Sequence, residues 1–142
     1  MANREARSLS ERSLDLRKGE DLVAAVSLAQ SLYFVVTGLW GIVGINTFQK
    51  VTGPKVDTWL VRTVSVLIVV IGAVLGMAGY RRNTSPEIPV LGIGSAAGLA
   101  AIDVIYTSRK RIRPIYLMDA LAEAILIGGW SFAWSRSRKK QA

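Results

Sequence analysis

Between Asp21 and Lys50 the chain carries no charged side chain. A helix rises 1.5 Å per residue and the hydrocarbon core of a bilayer is about 30 Å thick, so about 20 apolar residues cross it. Inside lipid every backbone polar group must be satisfied within the segment, which leaves a helix as the form for such a run. The run predicts a first membrane span over residues 22–46. It is too long for the apolar part of a cleaved signal peptide and no small-residue cleavage site follows it, so the reading is a retained helix.

Three more spans follow. Arg62 and Arg81 enclose a second uncharged stretch, extended by Trp59, Leu60 and Val61 to a span over 59–80, with Trp59 and Tyr80 placed as interfacial anchors. Gly72, Gly76 and Gly79 fall four and three apart on it, the spacing of a helix-packing face. The third span, 88–106, is rich in Gly and Ala, and its small residues predict a place inside the bundle. The fourth, 115–134, carries Asp119 and Glu123. It can cross only if those carboxylates face protein, water or an interface.

The fold class predicted is all-α: a polytopic membrane protein, a four-transmembrane-helix bundle over residues 22–135. A polar, amphipathic segment (1–21) precedes it as a surface helix or frayed tail, and a basic tail (136–142) follows. An offset of 60 residues brings Gly38 onto Gly98, Ile42 onto Ile102, Lys50 onto Lys110 and Pro54 onto Pro114. A duplication would make the bundle two hairpins of the same orientation, related by an axis along the membrane normal.

Composition closes several routes. The chain has no cysteine and no histidine, so disulfides, thiol chemistry, the usual haem and zinc ligands and the commonest general base are absent. No metal and no cofactor is predicted. The net charge is +8, but the basic residues flank apolar blocks as headgroup anchors do. Membrane lipids are the partner implied; nucleic acid is not. Eleven basic residues lie on the side of the N-terminal segment, second loop and tail, against Lys50, Lys55, Arg109, Lys110, Arg111 and Arg113 on the other. The positive-inside rule then puts both termini in the cytoplasm, in the cytoplasmic (inner) membrane of a bacterium.

The first and third loops share a membrane face. Lys55, Asp57 and Arg62 belong to the first; Tyr106, Arg109, Arg113 and Tyr116 flank the third. These seven form the predicted ligand-binding set. Below them lie Asp103, Asp119 and Glu123, the groups available to an enzyme or a transporter. Counting from Pro114, Asp119 lies roughly 7 Å and Glu123 roughly 13 Å into the membrane. Tyr116, Asp119 and Glu123 share one helical face. Asp57 and Asp103 read more readily as a helix cap and a headgroup-level acid, and Arg62 as a partner for Asp103 or Asp119. No base matches Glu123 in depth, so it is either protonated or turned toward a wet cavity. Basic loops over acids suit an amphiphile with an anionic or hydroxylated head.

The stretch FQKVTGPKVDTWLV (48–61), the later IDVIY (102–106) and the Tyr116, Asp119, Glu123 pattern resemble a family of small, uncharacterised four-helix bacterial membrane proteins. The resemblance implies the membrane class and no mechanism. In size and helix count the chain is also similar to small multidrug exporters, but the first-helix glutamate those proteins use has no counterpart here. Three functions stay open. The first is a lipid- or amphiphile-binding module or accessory subunit, with a homo-oligomer or a membrane protein as partner. The second is a dimeric proton-coupled transporter using Glu123 and Asp119. The third is an acid–base enzyme on an isoprenoid-like substrate.

Overall fold

The computed structural model describes residues 2–54 and 56–138. Lys55 and the end of the basic tail, residues 139–142, lie outside the described residues. Five helices follow in order: α1 (Ala2–Val43), α2 (Ile45–Thr52), α3 (Thr58–Tyr80), α4 (Glu87–Ser108) and α5 (Tyr116–Arg138). Among the described residues four stretches are long and apolar enough to cross a membrane: Arg17–Val43, Thr58–Tyr80, Glu87–Ser108 and Tyr116–Ser137. Their outward faces are apolar. Leu32, Leu67, Met118, Leu121 and Ile125 are each more than half exposed, a surface that lipid covers at no cost and water does not. The chain is an all-α, four-transmembrane-helix bundle.

The polar N-terminal segment is continuous with the first span, since α1 runs unbroken from Ala2 to Val43. It is therefore the start of a long helix rather than a separate element on the surface. At its other end Gly44 leaves helical geometry (φ −104°, ψ 36°) and a short amphipathic helix, α2, begins. The elbow is held by its own side chains. Trp40 Nε1 donates to Thr47 Oγ1 at 2.9 Å, Thr47 Oγ1 donates to the Gly44 carbonyl at 2.8 Å, and the rings of Trp40 and Phe48 meet edge to face at 5.3 Å. α2 was hidden in the sequence because its apolar residues continue the first uncharged run.

The helices pair as two hairpins, α1 with α3 and α4 with α5, and α1 also touches α5. The glycine face of α3 packs on α1: a Cβ placed on Gly72, Gly76 or Gly79 would come within 2.9 Å of Val35, Ser31 or Leu28. Close approach of this kind replaces the hydrophobic drive that lipid removes. Ser27 Oγ adds a 2.7 Å hydrogen bond to the Leu75 carbonyl. α4 departs from the expectation of an interior helix. Gly92 and Ala96 are buried, but Gly94 and Gly98 have nothing within 4 Å of a would-be Cβ and face outward. Gly98 thus differs from Gly38, its match at the 60-residue offset, which lies hard against Ser65 and Val69 of α3.

The close-packed core sits toward the α3–α4 turn. Val23, Leu75, Ala78, Ile88, Trp130 and Ala133 form it, one or two from each spanning helix. The turn is closed by Arg82 at positive φ (51°), with the Asn83 N–H reaching back to the Ala78 carbonyl at 2.9 Å. Arg82 also pairs with Asp21 of α1 at 2.9 Å. Just beneath this end, a polar network ties three helices. Trp130 Nε1 donates to Gln30 Oε1 at 2.6 Å, and Gln30 Nε2 donates to the Gly92 carbonyl at 2.9 Å. Glycine is needed at 92 because a Cβ there would sit 2.5 Å from the Trp130 ring.

Candidate functional site

Toward the two loops the packing changes. The second half of α1, α2, the start of α3, the end of α4 and the start of α5 line a cavity of about 490 Å³, within the range that holds small organic ligands. It opens to the bundle surface, where its lining residues Leu60, Val64 and Ile102 are exposed. Most of its wall is apolar, with Val64 and Ile68 from α3 and Leu99 and Ile102 from α4. Tyr33, Phe34, Trp40, Phe48 and Tyr116 add aromatic rings. Tyr33, Thr37 and Trp40 recur at helical spacing and so present one stripe of α1 to the cavity.

The three carboxyl groups singled out by the sequence all line this cavity: Asp103 from α4, and Asp119 and Glu123 from α5. Glu123 stands seven residues inside α5, roughly 10 Å from its start. It is 1% exposed, and neither carboxyl oxygen has a hydrogen-bond partner among the described residues. Asp119, one turn nearer the loop, is half-buried and accepts a hydrogen bond from the Tyr33 hydroxyl. Asp103 is buried at 6% exposure. Its side chain therefore faces protein. Asp119 and Glu123 are four residues apart and so share one face of α5. Among the described residues, no arginine or lysine lines the cavity.

The basic residues gather next door. A second cavity, of about 410 Å³, is lined by Thr52, Gly53, Pro54, Lys110, Arg111 and Arg113, among others, and shares Thr52 and Ile112 with the first. Arg113 bridges the two loops. Its guanidinium donates to the Lys50 carbonyl at 3.4 Å, and its side chain lies over Gly53, where a Cβ would come 3.1 Å from Nε. Gly53 has φ 98°, a conformation that a side chain would strain. Lys110, two residues past the end of α4, is also at positive φ (55°), and the Arg111 N–H returns to the Tyr106 carbonyl at 2.9 Å.

Of the seven residues predicted to bind ligand, the structure brings Arg113 to the basic cavity and Tyr116 to the deep one. Asp57, Arg62, Tyr106 and Arg109 are exposed and line neither. Asp57 occupies the N-cap of α3 but makes no side-chain cap hydrogen bond. Arg62 is exposed in the first turns of α3 and forms no ion pair with Asp103 or Asp119 among the described residues; Asp119 accepts from Tyr33. Lys55 lies outside the described residues. Tyr33, Trp40 and Phe48 are among the cavity residues that sequence reasoning passed over. The Tyr33, Thr37, Trp40 stripe was the signal that could have found the first two.

No family model, no curated protein and no solved structure matches the chain. What fold and site define is a small, all-helical, multi-pass membrane protein with carboxylates inside its bundle.

Proposed function

We propose that this protein binds an amphiphile within the membrane, with the apolar body of the ligand in the cavity between the helices and its polar end at Asp119 and Glu123. The reading places the chain in a bacterial cytoplasmic membrane with both termini inside, by the positive-inside count, and in company with the small four-helix proteins that its sequence resembles. One observation carries it. A cavity of about 490 Å³, mostly apolar, contains a fully buried glutamate with no hydrogen-bond partner. A bundle that only had to be stable would fill such a space with aliphatic side chains, because a carboxyl group in a low-dielectric site costs at least a few kcal/mol.

Native mass spectrometry of the protein extracted gently from its own membrane, beside Leu99→Trp, tests the proposal. The larger side chain fills part of the cavity. A discrete bound mass in the wild type, lost in the variant, is the expected result. Bulk lipid alone on both proteins contradicts the proposal and leaves an accessory subunit whose acids are structural.

Glu123 also favours a second reading, in which the ligand is moved in exchange for a proton. Four helices are few for a pathway, so this version uses a dimer. It predicts flux into proteoliposomes that depends on the pH gradient and disappears in Glu123→Gln; flux unchanged by that substitution removes it.

A further inference from the structure

We infer that the deep cavity selects an organic cation, an ammonium-type head on an apolar body; the inference rests on the amphiphile reading above and adds the sign of the charge. The observation behind it is a separation. Among the described residues, the charged groups lining the deep cavity are all acidic: Asp103, Asp119 and Glu123. The nearby bases Lys110, Arg111 and Arg113 line the neighbouring cavity. An anionic head drawn to the loops by those bases would meet only like charge if it went deeper. A cationic head supplies to Glu123 the partner that the protein withholds, since neither oxygen of this 1% exposed side chain is hydrogen-bonded among the described residues.

The aromatic lining points the same way. The negative face of an aromatic ring attracts a desolvated cation, and quaternary ammonium groups are held in this manner. Tyr33 and Tyr116 line the cavity with Asp119 and Glu123, and Phe34, Trp40 and Phe48 line it as well. Among the described residues, Tyr33 is the titratable group that α1 contributes to this lining. Its hydroxyl donates to Asp119, which keeps that carboxylate oriented and leaves Glu123 as the unmatched acid. An aliphatic wall would take apolar ligands without regard to charge. Rings beside carboxylates favour positive ones.

The test compares two probes of matched shape and opposite charge, tetraphenylphosphonium and tetraphenylborate. Each is titrated against the full chain in nanodiscs of zwitterionic lipid, with protein-free nanodiscs subtracted. The expected result is saturable binding of tetraphenylphosphonium at one per chain and no saturable binding of tetraphenylborate. Glu123→Gln weakens the phosphonium by about tenfold or more. Asp119→Asn, at the less buried site, serves as the second variant if the first does not stay monodisperse. Equal or tighter binding of the borate, or phosphonium binding unmoved by both variants, overturns the charge selectivity and leaves the amphiphile reading intact. Binding of neither probe, while a native bound mass is still lost in Leu99→Trp, likewise overturns the cation inference alone. Absence of that mass as well overturns both.

Discussion

Two polar clusters lie inside the bundle, and they are built in opposite ways. Toward the α3–α4 turn, Gln30 and Trp130 satisfy each other, and Gln30 also reaches the Gly92 carbonyl. The side chains of Gln30 and Trp130 are fully buried, and apolar residues pack around Trp130. Toward the loops, Glu123 is as deeply buried but has no hydrogen bond among the described residues, and it borders open space. A polar group that is buried and matched holds helices together. A polar group that is buried and unmatched lowers stability, and its retention calls for a role other than holding the fold. On the proposed reading, the difference separates a structural half of the molecule from a ligand-binding half within the same four helices.

Substitutions that probe the two halves should differ in sign. Trp130→Ala is the largest expected effect. It removes a fully buried ring and leaves Gln30 Oε1 without its donor, and should destabilise the bundle by about 3–5 kcal/mol in reversible detergent unfolding. A loss below about 1 kcal/mol would mean that the turn-side network does not hold the helices. Glu123→Leu should go the other way and stabilise by about 1–3 kcal/mol in the same assay, because it replaces an unmatched carboxyl group by one that suits its surroundings. A destabilisation of that size would make Glu123 a structural residue and erase the contrast. Asp21→Asn is the small control. It breaks the Asp21–Arg82 pair, whose side chains are 53% and 63% exposed, and an ion pair so open to screening contributes about 0–1 kcal/mol. A larger change would place a third centre of stability at the turn.

Much of this was legible from residue order alone. Long apolar runs marked the four spans because lipid admits little else. The glycines of α3 announced its packing face because backbone approach replaces hydrophobic drive there. Asp119 and Glu123 stood out because a carboxylate in a span is costly wherever it points. What residue order does not carry is which way a helix is turned. Gly94 and Gly98 share the composition of Gly72 and Gly76 and face outward, since rotation is set by the partner helix and not by the stripe itself. Arg62 and Arg109 were grouped with the site because they belong to the right loops, yet both point away. The elbow at Gly44, which brings Trp40 and Phe48 to the cavity, depends on one residue leaving helical geometry inside an apolar run.

Because the chain has no cysteine of its own, single introduced thiols report directly on whether the loop-side half is open. The deciding measurement is the rate at which a small cationic methanethiosulfonate modifies Leu99→Cys, on the cavity wall, and Ser27→Cys, in the packed half, each with and without tetraphenylphosphonium. The account predicts modification of Leu99→Cys that tetraphenylphosphonium slows, and none of Ser27→Cys. Equal protection of both positions, or modification of Leu99→Cys that no cation slows, would contradict it.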